Sequence, residues 1–165
     1  MSIHRIVKRG ALAAALAGAS LGLAGTASAG GGVSQVDGLL TPDTGGVCQR
    51  QDPFEAAYTV SGSLDGCWFI EHTSYDHSNS AGGFVATGTE EFHGCVTGTA
   101  TCGSFFTKFK FTAKYDGATE LHGRCHHPLQ PELGTEDFAG VGGVINMHDL
   151  PNGCAVFNGH LDFSS

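Results

Sequence analysis

A single acidic side chain interrupts an apolar row in the middle of the chain. Glu90 alternates with Phe84, Ala86, Gly88 and Phe92, and alternate residues of a β-strand share one face. A carboxyl group on such a face can donate or accept a proton where water is excluded. The competing interpretation is a structural carboxylate held by hydroxyl groups or by water at the end of the sheet. Glu90 is therefore the candidate catalytic residue of this sequence.

A second apolar row begins at the only tryptophan of the chain, Trp68, which alternates with Ile70 and His72. If the two rows pair so that Trp68 lies opposite Glu90, the indole lies beside the carboxylate. In that register His72 is about 13 Å from Glu90, so the two do not form a dyad. Aromatic walls suit flat apolar ligands, although rings in this number can also simply pack together. The predicted ligand-binding residues are Tyr58, Trp68, His72, Thr107, Phe109 and Phe157.

The cysteines offer a test of these face assignments. If Cys95 and Cys102 are joined across a hairpin, Glu90 lies opposite Thr107 and every inward residue meets an inward residue, whereas a slip by one would separate the rows. Closing so short a loop would stabilise the fold by about 2–3 kcal/mol. An even count of six predicts three disulfides in an exported chain. The pattern does not fix the other two, for which the preferred pairs are Cys67–Cys125 and Cys48–Cys154.

The N-terminus has the three parts of a secretory signal peptide. A basic head is followed by an apolar run over residues 11–25 and by the small-x-small sequence Ala27-Ser28-Ala29. The basic head consists of Arg5, Lys8 and Arg9. Residues 1–29 therefore predict secretion to the extracellular space, and because no second apolar span follows, we expect no membrane insertion after cleavage.

The charge balance of the remaining chain argues against two classes of partner. Cleavage after Ala29 removes three of the eight basic residues and none of the sixteen acidic ones, which leaves five against sixteen and a net charge of −11. Nucleic acids and anionic lipid surfaces both attract Lys and Arg. We therefore predict that the protein binds neither, and that its charge serves solubility.

Short alternating segments broken by Gly, Asn, Asp and Pro organise the rest of the sequence. Residues 30–53 are Gly- and Thr-rich and are predicted to be a loosely ordered lead-in, and residues 54–165 are predicted to form the folded domain. Seven segments have the spacing of strands in an antiparallel sandwich or barrel. They are residues 56–62, 66–74, 83–94, 103–114, 118–125, 142–149 and 154–163.

Several histidines raise the question of a metal site. The candidate ligands are His122, His126, His127, His148 and His160. No regular element carries a ready ligand set, and Arg124, His126 and His127 follow a predicted strand end before Pro128. We interpret these as loop residues that anchor turns by hydrogen bonds. The sequence predicts no metal and no cofactor.

Four motifs together resemble a known group of barrels. The run Gly134-Thr-Glu-Asp-Phe-Ala-Gly140 with Val141-Gly-Gly143 resembles the Gly-Thr-x-x-Phe-Ala-Gly-x-x-Gly turn of the allene oxide cyclase-like barrels, which include plant dirigent proteins. The motifs Gly66-Cys-Trp68, Gly88-Thr-Glu90 and Gly123-Arg-Cys-His-His-Pro128 add a similarity to a family of exported actinobacterial proteins. The resemblance implies an eight-stranded antiparallel β-barrel, stabilised here by disulfides. An eighth strand must then be short or lie in the lead-in.

The resemblance leaves the function open. Barrels of about eight strands have an interior that side chains fill or that holds one small ligand. Plant cyclases steer a reactive oxylipin through ring closure and dirigent proteins orient phenoxy radicals, but the shared motif is a structural turn, so no catalytic residue is carried over. Related barrels also form dimers and trimers, so an oligomer is possible.

Three functions remain after the sequence has excluded others. Glu90 and Glu91 face opposite ways on a strand and cannot form a glycosidase pair, and no Gly-x-Ser-x-Gly elbow is present. The favoured function is binding of a small apolar or aromatic molecule in the lumen. The alternatives are a cyclase, isomerase or dirigent-like enzyme in which Glu90 handles a proton, and a structural barrel whose outer surface engages a protein partner.

Overall fold

A computed structural model describes residues 32–78, 82–117 and 119–164. Eight antiparallel strands form a closed barrel in chain order, which confirms the predicted all-β fold class. The predicted signal peptide, residues 1–29, lies outside the described residues. No helix in the described ranges is long and apolar enough to cross a membrane. The strands are β1 (Val33–Pro42), β2 (Ala56–Gly62), β3 (Leu64–Ser78), β4 (Gly83–Val96), β5 (Cys102–Asp116), β6 (Thr119–Pro128), β7 (Gly142–Asp149) and β8 (Ala155–Asp162).

The eighth strand, β1, lies in the segment that the sequence predicts to be loosely ordered. It pairs with β2 on one edge and with β8 on the other, and Val36 and Leu40 are buried in the core. Gly38 has a specific role, because a Cβ atom there would lie 2.6 Å from the ring of Phe157. Residues 33–42 are thus a regular wall of the barrel, and only the following loop is irregular.

The predicted register of the β4–β5 hairpin is confirmed in full. Cys95 lies opposite Cys102 and Glu90 lies opposite Thr107, and the disulfide between the two cysteines is formed. The predicted register of β3 against β4 is wrong by two residues, because Trp68 lies opposite Phe92. A further register shift follows between Ile70 and His72.

The second disulfide joins Cys48 to Cys67, so the predicted pairs Cys67–Cys125 and Cys48–Cys154 are wrong. Cys67 alternates with the inward-facing Trp68 and therefore lies on the outer face of β3, whereas Cys125 belongs to the inner row of β6. The barrel wall separates them, and Cys125 and Cys154 are free thiols. Since disulfides persist in oxidising compartments, the two bridges indicate a non-reducing environment.

One end of the barrel is closed by the connection between β6 and β7. We call residues 129–141 the plug segment; it contains two short 3-10 helices, Pro131–Leu133 and Glu136–Phe138. Phe138 is fully buried and its ring contacts Phe92 and Phe105 at centroid distances of 6.1 and 5.3 Å. The Gly-Thr-x-x-Phe-Ala-Gly sequence therefore inserts its one aromatic ring into the barrel.

Two glycines allow the plug segment to dock. A Cβ atom on Gly134 would collide with the carbonyl oxygen of Phe138, and one on Gly103 would lie 2.6 Å from the carbonyl oxygen of Thr135. Backbone hydrogen bonds complete the contact: Thr135 N–H donates to the Ser104 carbonyl at 2.9 Å. Sequence and packing agree here, because only glycine leaves room for so close an approach.

Candidate functional site

The end of the barrel opposite the plug segment contains a cavity of about 830 Å³. Its mouth lies where β1, β3, β5 and β7 end and β2, β4, β6 and β8 begin, and Leu121 at the rim is 58% exposed. Aromatic side chains form much of its wall: Tyr58, Trp68, Phe84, Phe109, Phe111 and Tyr115. The volume falls within the range of about 300–1,000 Å³ that is usual for small-molecule sites.

Glu90 lies in this cavity as a buried carboxylate with 5% of its surface exposed. Strand β4 directs it inward because it continues the alternation of Ala86 and Phe92, both of which are buried. The indole Nε1–H of Trp68 donates a hydrogen bond to Oε2 of Glu90 at 2.8 Å. The two side chains are thus in contact, as predicted. Their residues are diagonal neighbours on β3 and β4 rather than a directly opposite pair.

His127 is the second titratable group at the base of the cavity and is fully buried. Its Nε2 lies 2.9 Å from Oε2 of Glu90, yet neither ring nitrogen has a hydrogen-bond partner with suitable geometry in the described structure. We treat the contact as electrostatic proximity, since a short distance without alignment is not a hydrogen bond. The Trp68 and Phe109 rings enclose the imidazole at centroid distances of 5.7 and 6.1 Å.

Thr107 adds a second unpartnered polar group beside this acid. It lies opposite Glu90, is 1% exposed, and its Oγ1 has no hydrogen-bond partner among the described residues. Buried polar groups normally have partners, and leaving one without any costs about 1–3 kcal/mol. Two such groups beside one carboxylate are a feature to be explained by function.

The predicted ligand-binding residues divide into four groups. Tyr58, Trp68 and Phe109 line the cavity, and Thr107 is buried next to it. Phe157 belongs to the packed core instead, where it lies against β1. The backbone pairs His72 with Thr89, and the His72 side chain lies outside the described part of the structure.

Sequence reasoning missed His127, which it interpreted as a loop residue. Strand β6 continues to Pro128, and its backbone pairs with β7 through Pro128 and Val144. The exposed His126 lies on the outer face, where its Nδ1 is 2.9 Å from Oδ1 of Asn146. The useful signal was the alternation itself: once Cys125 is inward, His127 must be inward as well.

Two further carboxylates lie closer to the mouth. The β6–β7 register pairs Arg124 with His148, which brings Asp149 beside Gly123. The Glu120 side chain folds back over Gly123, so that a Cβ atom at position 123 would collide with Oε1 of Glu120. The other carboxylate oxygen of Glu120, Oε2, accepts a hydrogen bond from the Tyr115 hydroxyl at 3.0 Å. Glu120 and Asp149 are therefore neighbours on the cavity wall.

The electrostatics of the lumen follow from these acids. Burial, followed by the charge of Glu120, raises the pKa of Asp149. Burial, followed by the charges of Asp149 and Glu90, raises the pKa of Tyr58. Burial and the hydrogen bond to Glu120 raise the pKa of Tyr115 to about 12. The cavity is thus a partly desolvated space with an excess of negative charge.

Both free thiols, Cys125 and Cys154, also line the cavity. Burial, with smaller contributions from Glu90 and Asp149, raises the pKa of the Cys125 thiol strongly. Since the thiolate is the nucleophile, Cys125 is a poor one. Within the described ranges, no group of three or more His, Cys, Asp or Glu side chains could hold a metal ion.

Comparison with known proteins adds no assignment. No protein-family model matches the chain, and no curated protein is significantly similar to it.

Proposed function

We propose that this chain is a secreted β-barrel of the allene oxide cyclase-like group that binds a small apolar or aromatic molecule in its lumen. One observation carries the proposal: an aromatic-walled cavity of about 830 Å³ reaches a buried polar cluster whose His127 has no hydrogen-bond partner in the described structure. Binding sites typically combine apolar walls with a few such polar groups. A ligand atom that pairs with His127 would remove the cost of leaving it unpaired.

Secretion is supported by the signal-peptide pattern of residues 1–29 and by the two disulfides. A direct check is N-terminal sequencing of the protein recovered from the culture medium. We expect the mature chain to begin at Gly30. Retention of the intact N-terminus in the cell would count against export.

Native mass spectrometry of the purified protein tests lumen binding. We expect a co-purified molecule whose mass is the same in independent preparations. The variant Ala86→Trp fills the cavity, because Ala86 lines it and is only 3% exposed, and should lose that molecule. Val156→Trp is the matched control, since Val156 lies on the outer face with 41% exposed, and should keep it. Repeated absence of any bound molecule from the folded wild type would contradict the proposal.

A second function is favoured by one contact. The carboxylate of Glu90 lies 2.9 Å from the His127 imidazole inside the cavity, and such a pair can take a proton from a substrate and return it elsewhere. This supports the cyclase, isomerase or dirigent-like alternative with Glu90 as the proton-handling group. Glu90→Gln separates the two functions, because it keeps shape and hydrogen bonding. Retained binding with loss of ligand conversion, followed by chromatography, would indicate an enzyme, and unchanged conversion would exclude this role.

The third function, a structural barrel that engages a protein partner, requires no lumen. The cavity that reaches Glu90 supports the two lumen functions over it. If Ala86→Trp and wild type captured the same protein partner with equal affinity and neither carried a small molecule, this function would replace the first.

A further inference from the structure

The charges of the protein are separated between the inside and the outside of the barrel. Three carboxylates line the cavity, Glu90, Glu120 and Asp149, and the described cavity wall contains no Lys or Arg. The Lys and Arg residues of the described chain lie on the outer loop or on outward positions of β5 and β6. They are Arg50, Lys108, Lys110, Lys114 and Arg124.

The His127 side chain is a second indication of a ligand, because its Nε2 lies 2.9 Å from Oε2 of Glu90 without making an aligned hydrogen bond. It is fully buried, lines the cavity, and has no hydrogen-bond partner at either ring nitrogen in the described structure. The three carboxylates therefore share their cavity with a second feature that indicates a ligand. They form the wall of a cavity whose base already contains an unsatisfied polar group.

The negative charge of the lumen affects titratable groups on two strands. The pKa of Asp149 on β7 is raised by burial and by Glu120, and that of Tyr58 on β2 by burial, Asp149 and Glu90. Burial is the largest cause of both shifts, and repulsion from the neighbouring carboxylates, partly offset at Asp149 by His148 and His127, is the smaller one. A positive charge in the lumen would relieve that repulsion. A carboxylic acid would add to the repulsion instead.

We infer that the lumen takes an organic amine, a molecule with an aromatic or apolar body whose protonated nitrogen binds the neighbouring carboxylates of Asp149 and Glu120. This inference rests on lumen binding as proposed above and names the ligand class. The ammonium group would replace its water by two carboxylates, and the rings of Tyr58 and Tyr115 add faces that attract cations. The body of the ligand then extends along Phe109 and Phe111 to the polar contact with His127 proposed above.

Three probes with the same body test the ligand class: 4-phenylbutylamine, 4-phenylbutan-1-ol and 4-phenylbutanoic acid. Binding to the oxidised protein at pH 7.5 is measured by calorimetry and by the fluorescence of Trp68, the only tryptophan of the chain, which lines the cavity. We expect the amine to bind about tenfold more tightly than the alcohol, which corresponds to about 1.4 kcal/mol. The acid should bind more weakly than the alcohol.

Matched variants locate the ammonium site. Asp149→Asn combined with Glu120→Gln should remove the preference for the amine, so that the amine and the alcohol bind with similar affinity. Asp65→Asn combined with Glu132→Gln makes the same charge change at exposed positions outside the cavity and should leave the preference intact. If the first double variant does not fold, the two single variants should each lose part of the preference.

The outcomes separate this inference from the broader proposal. An acid or alcohol that binds as tightly as the amine overturns the amine assignment and leaves lumen binding standing. An amine preference that both double variants lose equally would reflect net charge alone and would also overturn it. If none of the three probes binds to the folded protein, both the inference and lumen binding of ligands of this kind are contradicted.

Discussion

The two ends of the barrel interior contain the same kinds of aromatic residues, but one end is closely packed and the other encloses a cavity. At the closed end, Phe92, Phe105 and Phe138 pack ring against ring and are at most 1% exposed. At the open end, the Phe84 ring also contacts those of Phe111 and Tyr115, but the three rings line a cavity. The difference comes from the connections, because the plug segment supplies Phe138 to one end, whereas the connection of residues 43–55 at the other end is joined to the outer face of β3 by the Cys48–Cys67 disulfide.

The comparison extends to polar groups. The closed end satisfies its backbone through contacts such as the Cys102 N–H that donates to Asp137 Oδ2 at 3.0 Å. The open end instead buries Glu90, Thr107 and His127, two of which have unpartnered atoms in the described structure. The closed end thus stabilises the barrel, whereas the buried polar atoms without hydrogen-bond partners at the open end lower its stability, which is typical of functional sites.

The largest expected difference concerns aromatic truncation at the two ends. Phe138→Ala should lower the free energy of unfolding by about 3–5 kcal/mol, because it leaves a cavity in a close-packed cluster. Phe111→Ala removes the same ring from a half-buried position beside the existing cavity and should cost about half as much or less. Urea unfolding measures both. Equal losses would show that the two ends are packed alike.

A pair of glycines sharpens the role of the plug segment. Gly103 and Gly117 both have positive φ angles, 145° and 58°, but only at Gly103 would a Cβ atom meet backbone. Gly103→Ala should therefore cost about 3 kcal/mol, from strain and the clash with Thr135. Gly117→Ala, at the open end, should cost about 1 kcal/mol from backbone strain alone. Thermal unfolding measures the loss of stability in both variants. Equal losses would contradict the role of Gly103 in docking the plug segment.

Thiol labelling probes the open end directly. The oxidised native protein should contain two alkylatable thiols, and iodoacetamide should modify Cys154 about tenfold faster than Cys125. The reason is that burial raises the pKa of the Cys125 thiol and leaves little thiolate. Peptide mapping after timed labelling provides the rates. A native protein without any free thiol would contradict the free state of Cys125 and Cys154.

Replacing His127 should separate stability from binding. His127→Leu removes a buried imidazole without aligned hydrogen bonds, but it also removes the group that lies 2.9 Å from the Glu90 carboxylate. Since the two effects oppose each other, the free energy of unfolding should change by no more than about 1 kcal/mol. Affinity for the co-purified ligand should fall about fivefold or more, because the ligand loses its polar contact. Ile145→Val is the control for a small change of volume at a fully buried position. A strong loss of stability in His127→Leu would show that the imidazole is a structural group.

The smallest effect is expected from Asp149 and depends on pH. Its pKa is raised in the folded state, first by burial and then by Glu120, so the folded state holds this proton more tightly than the unfolded state. Stability from this group is therefore present below the ordinary Asp pKa of about 4 and is lost as the pH rises through the folded pKa. Asp149→Asn should match wild type near pH 3.5 and be more stable at pH 7. A difference in melting temperature that does not change with pH would exclude this origin.

The parts of the fold that sequence predicted correctly are those with a covalent or steric anchor. The disulfide between Cys95 and Cys102 fixes the β4–β5 register, and every predicted pair in it is confirmed. The pairing of β3 with β4 has no such anchor, and its register shift beyond Ile70 has no clear sequence signature. The lead-in was one of the two places left open for the eighth strand, but β1 could not be delimited, because its inward residues Val36 and Leu40 are separated by Gly38 and do not show a strong alternation.

The site was predicted in part for the same reason. Glu90 and Trp68 lie on strands with clear alternation, so their proximity could be inferred. His127 precedes a proline, which favours a loop in sequence analysis, although Pro128 here ends a regular strand. Glu120 and Asp149 meet through the fold-back over Gly123, a three-dimensional feature that single-strand patterns do not contain.

The closure of the barrel by its first and last strands has a consequence for biosynthesis. Because β1 pairs with β8, the pairing of residues 33–40 with that strand has to wait until residues 155–162 have been made. Every shorter nascent chain exposes two strand edges, which can pair with other chains, and the late pairing of such distant segments is typical of slow folding. A chain that lacks β8 would therefore expose the edges of β1 and β7 and be prone to aggregate.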